Sequence, residues 1–89
     1  MTRKISRSET RDALRAHEAA YNAAMRAMKD TGHRPMALEL AAGANYDAAF
    51  TTSACEEARE RAESELTLTS FKLLADAHAE IIRNLRKHL

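Results

Sequence analysis

Apolar positions recur along this chain at helical spacing, and the pattern breaks at a few polar, glycine or proline points. Leu14, Tyr21 and Met28 stand seven residues apart. Ala13, Ala20 and Ala27 run beside them, and His17, Ala24 and Met25 fill the intermediate positions. The result is an apolar stripe about two columns wide, as a packed amphipathic helix needs. Ser6-Arg7-Ser8-Glu9 precedes it as an S-x-x-E capping box, in which the serine hydroxyl accepts a free first-turn amide and the glutamate reaches back. Gly32 offers a left-handed stop, and Pro35 blocks continuation. The pattern predicts a first helix over 7–30 after a basic lead over 1–6.

Pro35 suits the first position of a second helix, predicted over 35–51. Met36, Leu38, Leu40 and Ala41 supply its apolar positions, and Gly43-Ala44-Asn45 is a soft spot. Either the helix passes through, or it stops at Gly43 and restarts at Asn45. A mid-helix glycine costs about 1 kcal/mol relative to alanine, so close packing by another helix is the expected compensation. The small residues around it, Ala41, Ala42, Ala44, Ala48 and Ala49, would permit that approach.

A third helical stretch is predicted over 53–88, opened by a second box, Ser53-Ala54-Cys55-Glu56. Its apolar line changes phase. Cys55, Ala58, Ala62 and Leu66 form one line. Leu68, Phe71, Leu74, His78, Ile81, Ile82, Leu85 and Leu89 form another. The two meet at 67–70, a run of hydroxyl and β-branched residues, where a kink or short break is expected although no glycine or proline enforces one. The expected fold is all-α: one domain over 7–89, a small antiparallel bundle of three or four helices with alanine-rich packing.

Composition changes this picture in one respect. Nineteen of the 89 residues are alanine, four are aromatic and none is tryptophan. A chain this short buries roughly 60–65% of its unfolded surface. Alanine adds little to that at about 25 cal/mol per Å² of apolar area. Association of two copies is the simplest way to thicken such a core, so a homodimer is expected. The formal charge of +1 gives no global attraction to nucleic acid or membrane. The basic lead runs into no apolar h-region, and no stretch approaches about 18 apolar residues, so neither a signal peptide nor a membrane span is expected. The lone Cys55 cannot form an internal disulfide, which fits a reducing cytoplasm. Ten arginines against four lysines, with abundant alanine, is a composition common in high-GC bacterial genomes and their phages and plasmids.

Candidate chemistry is sparse. His17 and His78 lie on the apolar stripes of the first and last helices and meet if those stripes face each other. Zinc, however, takes three or four ligands, and no H-x-x-x-H pair, E-x-x-H pair or second cysteine is present, so no metal or other cofactor is expected. Cys55 falls in a first helical turn, where a dipole would favour its thiolate, but Glu56 and Glu57 oppose that and a structural thiol is the simpler reading. Glu56, Glu57, Glu60, Glu63 and Glu65, interrupted by Arg59 and Arg61, read as a solvated face, with a docking surface for a basic partner second. The stretch from Leu38 to Ala49 is similar to a helix-turn-helix in its Gly43 and Tyr46. Glu39 falls where that motif takes a small residue, and Asp47 would repel phosphate, so the family is not assigned. No catalytic constellation can be named, and no enzyme is expected.

The basic residues carry more. Arg7, Arg11 and Arg15 step by four along one helix face, with Arg3 and Lys4 ahead of them and Arg83, Arg86 and Lys87 near the other end of the chain. Two readings follow. The first is a helical protein-interaction module (an adaptor, inhibitor or regulator, of the kind frequent among phage and plasmid accessory proteins). Its contact residues would be Arg7, Arg11 and Arg15, with Tyr46 and Phe50 as aromatic anchors, since arginine and aromatics dominate interface energetics. The bland alternative for Tyr46 and Phe50 is ordinary core. The second reading is a nucleic-acid-binding regulator using Arg3, Lys4, Arg83, Arg86 and Lys87 on phosphates. Nearby aromatic or Asn/Gln readers, which that reading wants, are absent.

Overall fold

Reciprocal side-chain caps start the first and last helices of the computed structural model; the structure describes residues 4–89. Helix α1 spans Arg7–Lys29. The Ser6 hydroxyl accepts from the Glu9 amide at 3.1 Å, and the Glu9 carboxylate accepts from the Ser6 amide at 3.4 Å. At the far end the turn belongs to Asp30, whose carboxylate accepts from the Gly32 amide at 3.0 Å. Gly32 itself keeps a negative φ, so it is not the left-handed stop its identity implied.

Helix α2 spans Arg34–Ala44, with Pro35 in its second position. It passes through Gly43 and ends one residue later, short of the expected 51. Asn45 caps it. The Asp47 carboxylate then accepts from the Ala49 amide at 3.0 Å and bends the chain into a single 3₁₀ turn, Ala48–Phe50. Short polar side chains here outcompete the helix for backbone amides. No recognition helix follows Gly43, so the segment is not a helix-turn-helix. An added Cβ on Gly43 would meet nothing within 4 Å, so no neighbouring helix exploits that glycine.

The expected helix over 53–88 is two helices, α3 at Ser53–Glu65 and α4 at Leu68–Arg86. The Ser53/Glu56 box does not form. Thr52 occupies the cap position without a side-chain cap, and the Glu56 carboxylate bonds Arg59 and the Asn45 amide instead. Between α3 and α4, Leu66 adopts a left-handed conformation at φ 52°. Thr67 and Ser70 then form a reciprocal capping box, with bonds of 3.1 and 3.0 Å, that starts α4. The hydroxyl-rich run makes a full break because these side chains take over the first-turn amides.

The four helices pack in chain order, each on its neighbour, and α1 closes against α4. Three short turns make successive helices antiparallel. α1 and α4 are antiparallel too: Ala20, Ala24 and Ala27 share a core layer with Phe71 and Leu74, while Ala13 and Leu14 pack with Ile81 and Leu85. The molecule measures 40 × 21 × 17 Å. Its larger core layer is mostly alanine (Ala20, Ala23, Ala24 and Ala27 of α1, Ala37, Ala41 and Ala44 of α2) closed by Phe71 and Leu74. Leu14, Tyr21 and Met28 are only half-buried, because alanine and His17 take the centre of the α1 face and let the helices approach closely.

Arg34 ties one end of the molecule together. Its Nε donates to the Ala27 carbonyl at 3.3 Å, its Nη1 donates to the Leu66 carbonyl, and its guanidinium lies 5.3 Å from the Phe71 ring centroid. One cation thus serves the carbonyl ends of α1 and α3 while capping an aromatic core residue. Among the described residues there is no strand, and no helix is long and apolar enough to cross a membrane.

Candidate functional site

The antiparallel pairing of α1 and α4 has a consequence for charge. Arg7, Arg11 and Arg15 occupy the N-terminal half of α1, and Arg83, Arg86 and Lys87 the C-terminal end of α4, so the two sets share one half of the molecule and all six are exposed; Arg83 and Arg86 line a depression there with Glu18, Tyr21 and Asn22. Lys4 is exposed just ahead of α1; Arg3 lies outside the described residues. Among the described residues only Arg86 of this set is ion-paired, with Glu18 at 3.0 Å. Helix electrostatics explain two of the six. Arg83 and Arg86 sit in the last turn of α4, where cations are favoured. Arg7 sits at the first position of α1, where a cation opposes the dipole at about 0.3–1 kcal/mol. The helix dipole does not account for it.

Beside Arg7 a groove of about 480 Å³ opens between the start of α1, the Ala48–Phe50 turn and the end of α4. Ile5, Phe50, Ile81 and Leu85 supply its apolar walls. Arg7, Thr10, Thr51, Asn84 and His88 supply its polar ones. The groove exists because α3, starting at Ser53, leaves the last turns of α4 uncovered and only the 3₁₀ turn reaches them. Thr10 and Thr51 spend their hydroxyls internally, on the Ser6 carbonyl and on Asn45. Among the described residues no carboxylate lines this groove. Glu9, Asp12 and Asp47 line a separate, smaller depression between α1 and α2.

The two candidate aromatic anchors part company here. Tyr46 is 91% exposed at the edge of that smaller depression. Phe50 is 8% exposed and packs with Cys55, Ile81 and Leu85, so it is a core side chain that forms a groove wall. Sequence patterning did not reveal the groove itself, since its walls come from three segments far apart in the chain, Ile5 to Thr10, Ala49 to Thr51 and Ile81 to His88.

The interior holds a histidine pair. The α1 and α4 stripes do face each other, and His17 and His78, both 0% exposed, bring their Nδ1 atoms to 2.9 Å. The ring centroids are 5.0 Å apart. A contact of that length is a hydrogen bond, so one ring carries its proton on Nδ1 and the other on Nε2. Neither Nε2 has a hydrogen-bond partner. Burial disfavours the imidazolium and lowers both pKa values; the Phe50 backbone opposes this at His17. Burial, followed by the neighbouring His17, pushes His78 down to about 4. Among the described residues no group of three or more His, Cys, Asp or Glu side chains gathers around a common point, so the pair lacks the donors of a zinc site.

The remaining candidates are accounted for locally. Cys55 is buried, with Sγ 3.6 Å from the Ala77 carbonyl oxygen, which is the setting of a structural thiol. The acidic run of α3 is laced by its own arginines: Arg59 pairs with Glu56 and, at 2.8 Å, with Glu63, while Arg61 pairs with Glu65 at 3.1 Å. The hydrogen bond from Arg59 holds the Glu56 carboxyl below its ordinary range, with a further contribution from Asn45. No protein-family model matches the chain, and no curated protein or solved structure matches it significantly.

Proposed function

We infer that this chain is a small helical protein-interaction module, an adaptor, inhibitor or regulator that engages a partner protein at its basic end. The observation that carries the reading is an apolar groove with Arg7 on its rim, at the end of the molecule where the basic residues of α1 and α4 stand. Arginine next to exposed apolar surface is the composition of an interface centre. The reading assigns no catalytic role to any residue. The small core supports a second element, association of two copies, with exposed Met25, Met36 and Leu40 as the surface that pairing would cover. The lone thiol supports a reducing, cytoplasmic setting.

The same cations favour a second reading, a regulator that binds nucleic acid through phosphates. The groove argues for protein: phosphate contacts make no use of walls built from Ile5, Phe50, Ile81 and Leu85. The test is capture of partners from bacterial lysate on the tagged chain, with and without nuclease, alongside an Arg7→Glu/Arg11→Glu variant. Both residues are exposed, so the variant keeps the fold. The expected result is a defined protein that survives nuclease and is lost with the variant. Nuclease-sensitive capture would transfer the assignment to nucleic acid. Capture indifferent to the charge reversal would remove the basic end from the account.

A further inference from the structure

We propose that the groove at the basic end receives an acidic amphipathic peptide segment of a partner protein, with bulky apolar side chains against Ile5, Phe50, Ile81 and Leu85 and a carboxylate on Arg7. The proposal rests on the interaction-module reading and adds the chemistry of the partner.

Three features set that chemistry. The walls are aliphatic and aromatic, and the groove's volume of about 480 Å³ is within the usual range for a binding cleft. The rim offers donors without spending them: among the described residues neither Arg7 nor Asn84 has an ion-pair or side-chain hydrogen-bond partner. Among the described residues the lining holds no carboxylate, so an incoming anion meets none inside the groove, and Lys4, Arg11 and Lys87 are exposed at the same end of the molecule. Charge complementarity of this kind steers encounter and sets orientation, while the apolar contacts supply affinity. The groove is open along one side, with Ile5 41% exposed. A peptide segment brings its own backbone and neighbouring side chains to cover that side. A lone acyl chain would leave it wet.

The probe is a fluorescein-labelled synthetic helix of Glu, Ala and Leu with leucines at i, i+3, i+4 and i+7, titrated with the full chain by fluorescence anisotropy. Controls are the same helix with serine for leucine and with lysine for glutamate. Decanoate and a single-stranded oligonucleotide serve as alternative occupants. Expected are saturable binding of the acidic amphipathic helix and none by either control helix. Arg7→Glu and Ile5→Asp should each weaken binding about ten-fold or more, the loss that removal of one central contact produces. Neither position is buried and Ile5 precedes α1, so both variants remain folded. Amide shifts at Phe50, Ile81 and Leu85 in a two-dimensional NMR titration should move with the binding.

Binding indifferent to both substitutions would overturn the proposal. So would binding of decanoate or the oligonucleotide, with the same sensitivity, in place of the peptide. If no peptide binds while a nuclease-resistant lysate partner still depends on Arg7 and Arg11, the acidic-peptide assignment is wrong and the interaction-module reading stands. If neither is seen, both fall.

Discussion

Lowering the pH from 7 to 5 should destabilise this protein by an amount set chiefly by the histidine pair. His17 and His78 are buried between α1 and α4 with each other as hydrogen-bond partners, and the Phe50 backbone reaches His17. Burial and His17 hold His78 at about 4 in the folded chain, against 6.5 for an ordinary histidine. The folded state therefore binds the proton less readily than the unfolded state. The stability associated with the neutral ring is complete above pH 6.5 and is lost as the pH falls from 6.5 toward about 4. The full difference corresponds to about 3 kcal/mol at 1.36 kcal/mol per pH unit, of which about 2 kcal/mol is gone by pH 5. His17, lowered in the same direction, adds to the loss. For a domain of this size about 2 kcal/mol lowers Tm by roughly 8–15 °C. The assay is thermal unfolding by circular dichroism at pH 7, 6 and 5 and constant ionic strength. The companion variant is His17→Leu with His78→Leu, which removes both partners at similar volume and leaves no orphaned imidazole. At pH 7 it should be about as stable as the parent, because both partners of the His17–His78 bond are replaced together by apolar side chains. Between pH 7 and 5 its Tm should be nearly flat. A parent Tm that does not move over this interval, or a double variant that keeps the parent's slope, would refute the reasoning.

Three further outcomes follow from the fold. Arg34→Ala should lower stability by about 1–3 kcal/mol in urea unfolding, because the carbonyls of Ala27 and Leu66 lose their shared donor and Phe71 its cover. Leu66→Gly should raise stability by about 0.5–1 kcal/mol, since a half-exposed leucine is held at φ 52°, where glycine carries no steric cost. Gly43→Ala should raise it by up to about 1 kcal/mol, because the new methyl group meets open space inside α2. A loss on Gly43→Ala in chemical denaturation would mean that another surface, such as a second copy, closes on that glycine.

The helices were legible where a local signal matches a physical device. The Ser6/Glu9 box starts α1 where its spacing implies, and the phase change near 67–70 marks a true helix end because Thr67 and Ser70 cap each other. The reading failed where identity stood in for geometry. Gly32 looked like the left-handed stop, yet the Asp30 carboxylate makes that turn, and the left-handed residue of the chain's described part is Leu66. Ser53 and Glu56 have box spacing, but Arg59 and Asn45 compete for the same carboxylate. Of the candidate site, the Arg7, Arg11, Arg15 line was visible as a helical face. Its meeting with Arg83 and Lys87 needed the antiparallel pairing of α1 and α4. The groove depends on where α3 begins, and Arg34 acts through carbonyls that no side-chain pattern announces.

The central claim is that the basic end meets another protein, and site-directed photocrosslinking tests it most directly. A benzoylphenylalanine is placed at Asn84, on the groove rim, or at exposed Lys72, on the first turns of α4 at the opposite end. Each form is irradiated in nuclease-treated bacterial lysate. One defined protein adduct is expected from position 84, abolished by Arg7→Glu, and none from position 72. Equal crosslinking from both positions, or an adduct at 84 that persists in the Arg7→Glu background, would contradict it.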